Sequence, residues 1–83
     1  MELTFAIIGW KDASQDVEHH FLNEELTPVY SISCGYLVAE TEDSITIARD
    51  YFPEDKVVRS RECIPKTCIT FVERIKKVLE AEK

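Results

Sequence analysis

Tyr30, Ile32, Cys34, Tyr36 and Val38 alternate with Ser31, Ser33, Gly35, Leu37 and Ala39, a period of two held over ten residues. Successive side chains of a strand point to opposite faces, so this pattern specifies a β-strand rather than a helix. The strand it predicts, residues 28–40, is long for a flat one, and Gly35 lies in its middle. A glycine there predicts a bulge or a sharp bend, the device by which a small sheet curls toward a barrel.

The remaining segments arrange themselves around this strand. Residues 2–10 read as a first strand, with Leu3, Phe5 and Ile7 on one face and Thr4, Ala6, Ile8 and Trp10 on the other. Both faces turn apolar, which predicts a central strand covered on both sides. Residues 11–27 are polar and acidic, and predict an irregular loop that Phe21 and Leu22 pin to the core. Val17, Phe21 and Leu22 have spacings that suit one helical turn. Thr41-Glu42-Asp43-Ser44 is a polar turn, so residues 28–40 and 44–51 form a hairpin. Pro53 ends that pairing, and residues 56–63, poor in apolar side chains, predict an edge strand. After the turn at Ile64-Pro65-Lys66 the chain reads two ways. Cys68–Val72 is short and β-branched like a closing strand, whereas Thr70-x-x-Glu73 fits a capping box. Phe71, Ile75, Val78 and Leu79 share one helical face, and Glu73 lies four residues before Lys77. The expectation is a short strand over 68–72 and a helix over 73–82.

Eighty-three residues hold a single domain. The expected fold class is mainly β: a small open barrel of about five strands, SH3-like or Sm-like, with a short C-terminal helix. Two glycines are few for a tightly turned barrel and argue against full closure.

Composition narrows the function classes. No apolar run approaches the roughly 20 residues of a membrane helix, so a membrane partner is not expected. Met1-Glu2 leads into neither a basic segment nor a long apolar one, and the cysteines are three, Cys34, Cys63 and Cys68. Together these predict free thiols in a reducing, cytoplasmic setting, that of a bacterial host cell. The formal charge of −6 conceals an asymmetry. Residues 1–55 carry twelve acids against Lys11 and Arg49, while residues 56–83 carry eight bases against four acids. Either the halves complement each other, or Arg59, Arg61, Lys66, Arg74, Lys76 and Lys77 form a basic patch for an anionic partner.

Candidate chemistry is sparse. Cys34, Cys63 and Cys68 with His19 and His20 could supply zinc ligands, but the Cys-x4-Cys spacing is not a standard knuckle, and free cysteines commonly serve as small buried hydrophobes. Nothing in the spacing brings a histidine beside a thiol as a nucleophilic pair requires. The acids Glu24-Glu25, Glu40, Glu42, Asp43 and Glu54-Asp55 lie in turns, where water keeps them ionised. Gly9 and Gly35 are the only glycines, which excludes the glycine-rich phosphate loops. No catalytic residue and no cofactor is therefore expected.

Several short motifs carry a resemblance. Trp10-x-Asp12-Ala13 follows the first strand, then come Pro28-x-x-Ser31-x-x-x-Gly35-Tyr36-Leu37, Asp43-Ser44-Ile45 and Ile64-Pro65-Lys66-x-x-Ile69. In this order they resemble a group of small phage- and prophage-encoded proteins, over roughly residues 5–70. The resemblance implies an SH3-like or Sm-like barrel and carries no activity to transfer.

The expected function is a non-enzymatic protein-interaction module of a phage or prophage, with a host or phage protein as partner. Trp10, Tyr51, Phe52, Arg59 and Arg61 form the expected binding surface, since exposed aromatics beside cations build peptide grooves. The alternative is a nucleic-acid-binding, Sm-like protein that uses Lys66, Arg74, Lys76 and Lys77. Association into homo-oligomers is compatible with so small a domain.

Overall fold

The computed structural model describes residues 1–12, 22 and 25–79. Five strands follow one another: β1 (Glu2–Asp12), β2 (Val29–Glu40), β3 (Ser44–Phe52), β4 (Val57–Pro65) and β5 (Ile69–Val78). A single 3-10 turn, Lys66–Cys68, separates the last two. The strands form one antiparallel sheet in the order β4-β3-β2-β1-β5. Among the described residues no ladder joins β4 to β5, so the sheet is open.

The expected strands over 2–10, 28–40, 44–51 and 56–63 are present, each within about two residues of its expected bounds. The 41–44 turn closes the hairpin through Thr41, whose Oγ1 accepts the backbone N–H of Asp43 at 3.1 Å and of Ser44 at 3.0 Å. β4 lies at an edge, and β1 is central between β2 and β5.

The C-terminal helix expected over 73–82 is not formed. β5 instead extends from Ile69 to Val78 and pairs with β1 through nine residue pairs. The physical reason is a degeneracy of spacing. Residues four apart share a face in a helix, but they also share a face in a strand. Phe71, Ile75 and Leu79 satisfy both periods, as do Glu73 and Lys77. The unpaired edge of β1 decides between them, because its backbone N–H and C=O groups require partners. Residues 80–82 of the expected helix lie outside the described residues, as do Val17, His19, His20 and Phe21. Leu22, expected to pin the loop to the core, is fully exposed.

The core is small and aliphatic. Ala6 and Ile8 of β1 meet Ile45 and Ile47 of β3 and Ile64 of β4, all at most 3% exposed. Full burial of an isoleucine side chain contributes about 1.5–3 kcal/mol. Trp10, Leu37, Ile69 and Val72 pack around this cluster. Along the first half of β2, Ser31 and Ser33 oppose Trp10 and Ile8 on the core side. Their small side chains leave room for the Trp10 indole, whose Nε1 donates to Ser33 Oγ at 3.0 Å. Tyr30, Ile32 and Cys34 consequently face outward and are exposed.

The bend expected in β2 is also present. The β2–β3 register slips between Leu37 and Ala39, which leaves Val38 as the extra residue of a bulge. Gly35 permits the turn, because a Cβ there would lie 2.6 Å from the Ala48 carbonyl oxygen. β2 thus pairs with β1 over Val29–Tyr36 and with β3 over Tyr36–Glu40.

Candidate functional site

The divergence of β1 from β2 opens a cleft of about 460 Å³. Their ladder ends at Phe5 and Tyr36, so Leu3 and Thr4 separate from Leu37 and Val38. Tyr36 and Tyr51 form the aromatic part of the lining, with ring centroids 6.2 Å apart. Phe5 meets Tyr36 edge to face at 5.4 Å, which fixes the Tyr36 ring from behind. Lys56 and Val58 contribute from the β3–β4 side, and Glu2 from the start of β1. Lys56 has a φ of 55°, in the left-handed region that closes the tight turn between β3 and β4. An apolar, aromatic floor with one cation and one anion suits an extended chain carrying both apolar and polar groups.

Phe52 follows Tyr51 on β3 and Arg59 lies on β4, both turned to the opposite face from Tyr51. Arg59 stacks over the Phe52 ring, 5.3 Å from its centroid, and its Nε donates to Asp50 Oδ2 at 3.0 Å. The cross-strand pair Asp50 and Arg59 sets this arrangement. Exposed pairs of this type contribute at most about 1 kcal/mol, so it orients the guanidinium more than it stabilises the sheet.

Of the expected binding residues, Tyr51 alone lines the cleft; Phe52 and Arg59 meet each other on the opposite face of their strands. Arg61 is exposed further along β4, opposite Ala48. Trp10 pairs with Ser31 toward the far end of β1 from Leu3, and packs on the core. The expected set lacks the rest of the lining, Tyr36 and Lys56 included. For Tyr36 the signal was present, since alternation places it on the face opposite Leu37. For Lys56 there was none, because a left-handed lysine in a turn has no sequence signature.

The basic residues of the alternative surface are divided. Glu40 accepts both Nη2 hydrogen bonds of Arg74 at 2.9 Å and pairs with Lys66 Nζ at 2.9 Å. Those hydrogen bonds, Lys66 first and then Arg74, hold the Glu40 carboxyl below the usual carboxylate range. The triad spans a shallow groove of about 320 Å³ between the end of β2 and β5. Lys76 and Lys77, as neighbours on a strand, point to opposite faces.

The cysteines were expected to be small buried hydrophobes, but Cys34 and Cys63 are exposed and Cys68 is half-buried. They stand on β2, β4 and the 3-10 turn, and among the described residues no three metal-ligating side chains cluster. Cys63 faces Thr46 across the β3–β4 ladder. Hydrogen bonds from Thr46, and then from Ser44, lower its thiol from the ordinary value.

Comparison with protein-family models, curated proteins and solved structures finds no match.

Proposed function

We propose that this chain is a protein-interaction module, on an SH3-like or Sm-like scaffold, that holds an extended segment of a partner protein in the Tyr36–Tyr51 cleft. The observation that carries this reading is the cleft itself: two tyrosines and Leu3 beside Lys56, open to solvent. Rigid aromatic rings offer large contact area at low entropy cost, which is why they recur in peptide grooves.

The scaffold assignment draws support from chain order. A four-strand meander, a 3-10 turn and a fifth strand returning to the edge of β1 is the connectivity of such barrels. A bent β2 shared between the two halves agrees with it. The phage or prophage origin, with a host or phage protein as partner, is supported by the short motifs quoted above.

Selection of the purified chain against a displayed library of random peptides tests the reading. Enriched peptides are expected to share an apolar or aromatic residue beside an acidic one, matching Tyr51 and Lys56. Tyr51→Ala should weaken their binding by roughly tenfold or more, while circular dichroism confirms the fold. No enrichment, or enrichment indifferent to Tyr51→Ala, overturns the cleft as the working surface.

A further inference from the structure

Among the described residues, the outer edge of β5 is the longest regular backbone edge without a strand partner. Met1 and Leu79 exchange both backbone hydrogen bonds, at 2.7 and 2.8 Å. The register of the β1–β5 ladder continues without a shift from that pair to Gly9 and Phe71. Hydrogen-bonded and non-hydrogen-bonded pairs alternate in an antiparallel ladder. Phe71, Glu73, Ile75 and Lys77 therefore direct their backbone groups toward β1. Val72, Arg74, Lys76 and Val78 direct theirs away, where no described strand meets them. β5 carries no proline and no residue of positive φ. Beside the charged Glu73, Arg74, Lys76 and Lys77 it leaves Phe71, Ile75, Val78 and Leu79 each more than 40% exposed.

We propose that β5 pairs edge to edge with β5 of a second copy of this chain, antiparallel, about a two-fold axis at Ile75. The strand is self-complementary about that residue. Ile75 then faces Ile75 of the partner subunit. Glu73 faces the partner's Lys77, and Phe71 faces the partner's Leu79. These are the non-hydrogen-bonded pairs, in which side chains approach most closely. Val72 opposite the partner's Val78, and Arg74 opposite the partner's Lys76, become the hydrogen-bonded pairs. With their symmetry mates they form about eight backbone hydrogen bonds. The one like-charged pairing is Arg74 with the partner's Lys76, and there Glu40 already neutralises the Arg74 guanidinium. Glu73 and Lys77 have no ion-pair partner within the described residues.

The opposite edge of the sheet does not compete. β4 is interrupted at Ser60, whose φ of 60° takes the Arg49–Ser60 pair out of the ladder. A strand edge broken in this way resists pairing.

Sedimentation velocity of the full chain over a concentration series tests the proposal. A monomer–dimer equilibrium is expected. Glu73→Lys sets lysine against the partner's Lys77 and should weaken the dimer tenfold or more. The exchange Glu73→Lys with Lys77→Glu should restore it, because the swapped strand is again self-complementary. Both positions are solvent-exposed, and thermal melts confirm that each variant folds. Ile75→Cys, with Cys34, Cys63 and Cys68 changed to Ser, should form an intermolecular disulfide under mild oxidation, whereas Thr70→Cys should not. A monomer at every concentration overturns the proposal. So does a ring of more than two subunits, which needs head-to-tail contact. A dimer unaffected by Glu73→Lys overturns it as well.

Discussion

The two edges of this sheet are finished in opposite ways. β4 contributes Ile64 to the core at 1% exposure, bends at Ser60, and is tied to β3 by Asp50 and Arg59. β5 contributes no buried side chain. Ile69 and Val72 only flank the core, and the other eight residues of the strand are exposed. β4 is therefore held by burial, and β5 by its ladder to β1. An edge held by burial can bend and become charged without cost to the core. An edge held by hydrogen bonds must stay straight, and a straight edge remains available for a further strand.

Truncating the apolar anchor of each edge gives the largest expected difference. Ile64→Ala should lose about 2–5 kcal/mol, since it empties a fully enclosed site. Val72→Ala, at a half-buried site, should lose about 1 kcal/mol. Denaturant unfolding of the two variants checks this, and equal losses would show that β5 is as firmly packed as β4. The glycines sharpen the same contrast. At Gly35→Ala the added methyl meets the Ala48 backbone, at 2.6 Å from the carbonyl oxygen, and should cost about 1–3 kcal/mol by prising β2 from β3. At Gly9→Ala the methyl meets the Phe71 ring and the Tyr30 hydroxyl, the outer ends of exposed side chains. Those can swing aside, so the thermal midpoint should fall less than in Gly35→Ala.

The two edges were not equally legible in the sequence. β4 was readable because a strand poor in apolar side chains predicts an edge. β5 was misread because Phe71, Ile75, Glu73 and Lys77 are spaced by four, a spacing that helix and strand share. Only the unpaired edge of β1, a non-local requirement, decides for the strand. The bend in β2 was legible from Gly35, but the face it buries was not. Alternation puts Tyr30 and Ile32 on one face of β2 and Ser31 and Ser33 on the other, and only the fit of Trp10 over the serines decides which face is buried. Little of the cleft was legible. Tyr51 was expected at a surface, whereas Leu3 and Tyr36 join it only because β1 leaves β2.

Glu40 couples β5 to the end of β2, and its effect depends on pH. Its carboxyl is held below the ordinary value of 4.5 by Lys66 and Arg74. A carboxyl whose folded value lies below its unfolded one contributes stability that is fully present above the unfolded value. That contribution is lost as pH falls through the folded value. Wild type should therefore become less stable as pH drops below about 4.5, and Glu40→Gln should flatten that part of the profile. Because the pairs are partly exposed, the change should stay below that of Ile64→Ala. Urea midpoints measured from neutral pH downward give the comparison. A Glu40→Gln profile parallel to wild type would remove Glu40 as the link across the open side.

Cys63 separates reactivity from stability on the β4 edge, and the stability effect there should be the smallest of all. The Thr46 hydroxyl, and then that of Ser44, lowers the thiol from its ordinary 9.0. Hydrogen bonds of this kind favour the thiolate, the form that reacts with alkylating agents. Thr46→Val removes the larger of the two contributions while keeping the shape of the side chain. At this half-buried position it should change stability by less than about 1 kcal/mol. The rate at which Cys63 takes up iodoacetamide should nevertheless fall, and its pH midpoint should move up. Alkylation followed by peptide mass spectrometry reads that site apart from Cys34 and Cys68. If the midpoint stays where it is, the hydroxyls do not tune the thiol, and the exposure of Cys63 alone governs its reactivity.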